Sequence, residues 1–214
     1  MSSLNVPRRH FLSQGRAVAL AMGLSGWGVG TAAHAQSPWP ARPVRAVVPF
    51  PAGGTTDHVT RLVAQELTRT WGQPVVVENK PGAGTVIGVD AVAKATPDGY
   101  SLVTVANSFA ANVTLVKKLP YEALKDLRPV ALMGMSEHVL ATHPGSGIRT
   151  LADVRAAVGK GGTLSYASFG NGTSAHLSGA ALALHMGLPL VHVPYKGQAP
   201  ALNDLLGGQI TLMF

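Results

Sequence analysis

The stretch PFPAGGTTD at residues 49–57 joins a strand pattern to a helix pattern. Residues 44–50 form a short, β-rich apolar run between prolines, and apolar residues recur at helical spacing over residues 59–67. Gly53 and Gly54 let backbone N–H groups face outward at the start of that helix, where the helix dipole is positive. The loop therefore predicts a site for a small anion, such as a carboxylate or a phosphate.

A simpler interpretation of the same residues stays open at this point. Thr55, Thr56 or Asp57 would serve as the N-cap of an ordinary helix, and the two glycines would make a tight turn. Nucleotide binding does not fit, because the loop has neither the Gly-Lys-Ser/Thr ending of a P-loop nor Gly-x-Gly-x-x-Gly spacing.

Residues 1–35 are typical of an export signal peptide and are not expected to belong to the fold. Arg8 and Arg9 precede Phe-Leu, an apolar stretch follows, and an Ala-x-Ala sequence predicts cleavage between Ala35 and Gln36. The paired arginines resemble a twin-arginine signal, although the general export route also stays open. At about a dozen residues, the apolar stretch is shorter than a membrane span. We expect the mature protein outside the cytoplasm.

Composition excludes several classes of function. Three arginines and no acidic residue lie in the signal, so its removal lowers the net charge from +7 to +4. The remaining basic residues are scattered, and the sequence therefore predicts no nucleic-acid partner. The chain has no cysteine, which excludes disulfides and a thiol nucleophile. With 46% hydrophobic and 13% charged residues, it can bury a sizeable core.

Strand and helix patterns alternate along the mature chain, which predicts an α/β fold with largely parallel sheets. We expect strands at 45–49, 75–78, 101–106, 130–135, 139–143, 164–167, 190–193 and 210–214, and helices at 56–71, 85–95, 150–158, 174–186 and 200–206. Two strand-like runs follow each other near residues 134–139. We therefore predict a domain boundary there, with one lobe over 36–135 and a second over 136–214. A ligand cleft is expected between the two lobes.

Further polar loops leave the carboxyl ends of predicted strands, at residues 79–84, 107–108 and 168–174. Ligands of parallel α/β sheets bind at such ends. Each loop taken alone is also explained by turn chemistry. Their occurrence together favours one shared binding cleft.

Several motifs resemble one known family. Residues 48–57, 77–84, 97–100, 166–174 and 192–197 are similar to the Bug family, the TctC-type periplasmic receptors of tripartite tricarboxylate transporters. The resemblance covers essentially the whole mature chain. It implies a two-lobed, type II periplasmic-binding-protein fold of the Venus-flytrap kind, with parallel-rich sheets flanked by helices. Compared with the family, the chain looks truncated at its C-terminus, so that both lobes would be incomplete.

The resemblance also implies a function and a set of site residues. The ligand would be a small carboxylated solute, the partners the membrane subunits of a transporter, and neither catalysis, a cofactor nor a metal is expected. In the family, main-chain N–H groups and ordered waters at the first loop hold one carboxylate, and a loop of the other lobe closes over it. The matching positions here are Phe50, Gly53, Gly54, Thr55 and Thr56 on one side and Ser168, Gly172, Thr173 and Ser174 on the other.

Five more residues are weaker candidates for the ligand site. Gly84 offers another helix entrance, and Asn107 and Ser108 would border the cleft. Asp57 is ambiguous, because its charge would repel an anion, and we favour a capping or bracing role for it. His176 follows Ser174 near the cleft and would either donate a hydrogen bond to an anion or brace the loop.

Two alternatives to a transport receptor remain. A ligand-binding sensor for a signalling partner would need the same site. A periplasmic hydrolase is disfavoured, because the six mature histidines do not form His-Glu-x-x-His and no Gly-x-Ser-x-Gly is present. The sequence therefore predicts a binding protein and not an enzyme.

Overall fold

The computed structural model describes residues 38–159 and 161–214. The predicted signal peptide and its cleavage site between Ala35 and Gln36 lie outside the described residues. Within the described ranges, no helix is both long enough and apolar enough to cross a membrane.

The first sheet is built around strand β1 (Val44–Val48), which lies between β2 (Val75–Asn79) and β3 (Ser101–Val103). Both pairings are parallel. Val44, Val47 and Val48 of β1 have no exposed surface, as expected for a central strand whose two faces are both covered.

A helix follows each strand of the first sheet. Helix α1 (Thr55–Trp71) follows β1, α2 (Val86–Ala93) follows β2 after a 3-10 turn at Ala83–Thr85, and α3 (Ser108–Leu115) follows β3. All three polar loops of this half therefore lie at the carboxyl ends of parallel strands. Helix α1 ends at Gly72, whose φ of 67° permits the left-handed cap and whose N–H donates to the Thr68 carbonyl.

The strands of the second sheet are β4 (Ala141–Thr142), β5 (Leu164–Ser168), β6 (Leu190–Pro194) and β7 (Leu212–Met213). Their order in the sheet is β4-β7-β5-β6. Helix α4 (Leu151–Gly159) precedes β5, α5 (Ser174–Met186) connects β5 to β6, and α6 (Gln198–Leu206) precedes β7. The β5–β6 and β5–β7 pairings are parallel, whereas β4 pairs with β7 in the antiparallel direction.

Alternate residues of β5 point to two layers of helices. Tyr166 packs in one cluster with Val154 of α4, and Ala167 packs in another with Ala201 and Leu205 of α6. Because both faces are covered, β5 is largely buried. Its carboxyl end, Ser168, leads into the loop before α5.

The predicted α/β class with parallel-rich sheets flanked by helices is confirmed. The strand expected at 130–135 is wrong, because residues 127–140 form no helix or strand. Its apolar side chains have no neighbouring ladder to bury them, and Met135 is 89% exposed. The strand expected at 139–143 is reduced to the two residues of β4, and α3 was not predicted. The lobe boundary at 135/136 falls in this irregular stretch and stays a prediction.

Candidate ligand-binding site

The loop after β1 presents hydrogen-bond donors at the start of α1. Gly54 is the N-cap residue of this helix and supplies no side-chain cap. The Thr55 N–H and hydroxyl both donate to Oε1 of Gln198, at 3.1 and 3.0 Å. Among the described residues, the amides of Gly54 and Thr56 donate no hydrogen bond. The first turn of α1 therefore has donors to offer an anion.

Asp57 braces this loop from inside. It is only 3% exposed, and its carboxylate accepts hydrogen bonds from the Gly53 amide at 3.0 Å, Asn79 Nδ2 at 2.8 Å and Arg61 Nε at 3.0 Å. Burial by itself raises the pKa of Asp57, but the hydrogen bonds from Arg61, Gly53 and Asn79 lower it to about 2. The Gly53 amide is therefore engaged by Asp57, and this geometry supports the bracing role over ligand contact.

Asn79 ties the same loop to β2. Its side-chain amide also lies 3.1 Å from the Phe50 carbonyl, to which it donates. This hydrogen bond holds the backbone of the half-buried Phe50 in position.

The loop after β5 is held together by its own polar groups. Ser168 has no exposed surface, and its Oγ lies 2.6 Å from His192 Nε2 and accepts from the Gly170 amide at 3.2 Å. Thr173, the N-cap of α5, donates from Oγ1 to the Gly170 carbonyl at 2.7 Å. The Gly172 amide donates to His176 Nδ1 at 3.2 Å. These groups shape the loop, and Ser174, half-buried in the first turn of α5, follows them.

Two stacked histidines lie beneath this loop. The rings of His176 and His192 stack at 4.1 Å, and the Tyr166 ring stacks on His192 at 5.0 Å. Burial, and then the neighbouring His176, lower the pKa of His192 below its ordinary 6.5. His192 is therefore neutral near neutral pH, and the two stacked rings support the loop from below.

The contact between Ser168 and His192 lacks the other parts of a hydrolase site. The serine is fully buried, and in the described ranges no carboxylate accepts a hydrogen bond from His192. Nor do the described residues contain a group of three or more His, Asp or Glu side chains that could hold a metal ion.

Of the remaining candidates, Gly84 lies where the two halves of the chain meet, whereas Ser108 contacts Thr85 of its own half. The Gly84 carbonyl accepts from Asn112 Nδ2 at 2.8 Å, and Ser108 Oγ, which is buried, lies 3.3 Å from Thr85 Oγ1. Asn107 is exposed at the start of α3. A Cβ added at Gly84 would lie 3.0 Å from the Asn171 carbonyl oxygen, and one at Gly172 would lie 3.2 Å from Asn112 Oδ1. Loops from both sheets are therefore in direct contact.

Sequence reasoning missed several residues of this arrangement, above all Gln198. It directly follows the loop after β6, so the strand-end rule that selected the other loops could have found it. Asn112 gave no such signal, because an asparagine within a helix is explained by local structure alone.

Comparison with known proteins identifies the family of this chain. Residues 59–214 match TctC, the tripartite tricarboxylate transporter family receptor. The chain belongs to this family. Protein BugT of Bordetella pertussis is 41% identical over 175 residues, which are 80% of this chain and 54% of BugT. The chain thus spans about half the length of this curated relative.

Solved structures of the same fold agree with this assignment. The periplasmic binding protein BugD is 40% identical with a TM-score of 0.74, over 82% of this chain and 59% of BugD. A protein of R. palustris solved with adipate is 32% identical with a TM-score of 0.79, over 82% of this chain and 59% of that protein. MatC from Rhodopseudomonas palustris, solved with bound malate, is 35% identical with a TM-score of 0.76, over 82% of this chain and 60% of MatC. The predicted membership of the Bug and TctC-type receptors is confirmed.

Proposed function

We propose that this TctC-family chain is an extracytoplasmic receptor that captures a small carboxylated solute for a tripartite tricarboxylate transporter. The proposed site lies between the loop after β1 and the loop after β5. Family membership supports the receptor role, and the adipate and malate in two structural neighbours support the ligand class. The role is binding and not catalysis.

One observation carries the proposal. The Thr55 N–H and hydroxyl converge on a single acceptor oxygen at the N-terminus of the 17-residue helix α1. Two donors that meet on one oxygen, at the positive end of a helix dipole, fit a carboxylate oxygen better than a neutral group. The amides of Gly54 and Thr56 extend the same set of donors.

The candidate residues divide into two proposed roles. Thr55, Gly54 and Thr56 would contact the ligand from one side, with Ser174 and Asn107 at the border of the site. The others would hold the two loops in shape, as their hydrogen bonds and packing support: Phe50, Gly53, Asp57, Gly84, Ser108, Ser168, Gly172, Thr173 and His176.

The location follows from the same proposal. BugD is described as a periplasmic binding protein, and a TctC receptor supplies solute to membrane subunits. We place the mature chain in the periplasm after cleavage between Ala35 and Gln36, with those membrane subunits as partners.

A ligand-induced thermal shift tests the function. Malate, adipate and citrate are added to the purified protein, and a receptor gains about 2.7 kcal/mol of unfolding free energy at a hundredfold excess over Kd. We expect at least one of these acids, or of a wider carboxylate panel, to raise Tm. A panel that leaves Tm unchanged throughout would contradict the proposal.

Gly54→Val tests the site separately from the fold. The φ of Gly54 is −88°, which valine tolerates, and a Cβ there would lie 3.7 Å from Gln198 Oε1, so that the larger side chain blocks access to the Thr55 amide. We expect the ligand-induced shift to disappear while the ligand-free Tm is kept. Gly134→Val is the matched control, because a Cβ at Gly134 meets nothing within 4 Å. Equal losses in both variants would reject this site.

A further inference from the structure

Gln198 reaches from the C-terminal half of the chain to the start of α1. It is the first residue of α6, and its Oε1 accepts from the Thr55 N–H at 3.1 Å and from the Thr55 hydroxyl at 3.0 Å. Because the backbone N–H is a donor only, the amide oxygen of Gln198, and not its nitrogen, faces Thr55. A neutral acceptor therefore lies at the place where the helix terminus favours an anion.

The position of Gln198 is set by its neighbour on the chain. Gly197 is buried and has a φ of 156°, and a Cβ added there would lie 2.8 Å from Pro51 Cδ. Only glycine permits this close approach of the α6 start to the loop after β1. The contact between Gln198 and Thr55 thus belongs to a packed junction and is not a chance meeting of two surface side chains.

We propose that Gln198 is an internal competitor for the ligand, which occupies the Thr55 donors until a carboxylate displaces it. This inference rests on the proposed function. A carboxylate makes charge-assisted hydrogen bonds, which are stronger than those of a neutral amide, and it also gains from the helix dipole. Its arrival requires only a rotation of the half-buried Gln198 side chain.

The competition has a measurable size. A binding-competent state that is only fractionally populated lowers the apparent affinity by that fraction. Partly exposed neutral hydrogen bonds are weak, so we expect Gln198→Ala to tighten carboxylate binding by about three- to tenfold. Gln198→Glu places a tethered carboxylate on the same donors and should weaken binding by about tenfold or more.

The experiment combines two measurements on the purified wild-type protein and its variants. Isothermal titration with malate and with adipate gives the affinities. Amide hydrogen exchange at Thr55, followed by NMR without ligand, reports the contact itself, and the Thr55 amide should exchange faster in Gln198→Ala than in the wild type. Gln209→Ala is the matched control, since Gln209 is exposed and, within residues 38–159 and 161–214, its side chain bonds only to the nearby Gly207 carbonyl. We expect that control to change neither quantity.

The outcomes separate this inference from the proposed function. Weaker or unchanged binding in Gln198→Ala would overturn the competition and make Gln198 a ligand contact or a bystander. Equal exchange rates at Thr55 in the two proteins would overturn the contact, whatever the titrations show. If the Thr55 amide is protected but no acid of the carboxylate panel binds any variant, the contact stands, and the carboxylate function and the competition drawn from it both fall.

Discussion

At the scale of single residues, Asp57 lies where it would serve the proposed anion site as a brace of the loop and not as a ligand contact. Its carboxylate satisfies the Gly53 amide and one N–H of Asn79, and it pairs with Arg61. These partners fix the backbone that leads to Gly54 and Thr55. The negative charge is neutralised inside the loop, so it does not oppose an anion at the helix start.

Asp57 should also make stability depend on pH in a defined window. A carboxyl group whose pKa is lowered in the folded state stabilises the fold above its unfolded pKa, near 3.8, and this contribution is lost as the pH falls toward about 2. We expect the wild type to lose about 2 kcal/mol more than Asp57→Asn between pH 4 and pH 2. Urea unfolding at several pH values measures the difference.

The matched control for that window is Glu66→Gln on the same helix. Glu66 forms an ion pair with Arg69, but its side chain is 64% exposed, and exposed pairs contribute little. Its variant should follow the wild-type curve. Parallel curves for the wild type and Asp57→Asn would show that the buried carboxylate does not carry this acid sensitivity.

At the scale of elements, the packing of α5 on β5 positions the second loop. Gly179 of α5 lies against the Tyr166 ring of β5, so closely that an added Cβ would overlap it. Tyr166 in turn stacks on His192, whose Nε2 contacts Ser168. The close packing of α5 on β5 thus fixes His192, and through it the position of Ser168 at the start of the loop.

Gly179→Ala should therefore destabilise the protein, although alanine is the better helix former. Overpacking a filled core costs about 1–3 kcal/mol, which exceeds the gain of up to about 1 kcal/mol in helix propensity. Gly159→Ala, at a helical glycine where a Cβ meets nothing within 4 Å, should be neutral or stabilising. Chemical denaturation of both variants tests this, and a stabilised Gly179→Ala would show that the Tyr166 ring moves aside freely.

Local patterns predicted the elements well where periodicity and caps agreed. The run of β1, the glycine pair and the periodic α1 identified the first strand, loop and helix, and the same reasoning identified β5 and α5. It failed at residues 130–135, because an apolar, β-rich run forms a strand only if another strand pairs with it. It also could not predict that Gly172 and Ser168 bond to histidines, since those contacts depend on side chains brought together by the fold.

At the scale of the whole molecule, the halves that carry the two sheets meet through small contacts between loops. Thr55 meets Gln198, Pro51 meets Gly197, and Gly84 meets Asn171. Such contacts suit a receptor, because a ligand held between the halves can add interactions comparable to those already present. They also explain why a sequence that reveals each loop separately does not reveal which pairs of loops touch.

The irregular stretch at residues 127–140 is the covalent link between these halves within the described chain. Met133 before its middle contacts Thr104 of the first half, and His138 after it contacts Ser178 of the second. A cut between them would leave each flank attached to its own sheet. The link acts as a tether that keeps the two halves at a high effective concentration. The loop contacts therefore need not hold the halves together by themselves.

After cleavage of that tether, association of the two fragments should depend on the ligand. With a specific protease site inserted after Gly134, the two cleaved fragments should separate on gel filtration at micromolar concentration, and a saturating carboxylate should make them elute together. Uncut protein carrying the same insertion is the control. Fragments that stay together without ligand would mean that the loop contacts are a strong interface in their own right. In the intact chain, the stretch that forms neither helix nor strand would thus lower the ligand concentration needed to bring the halves together.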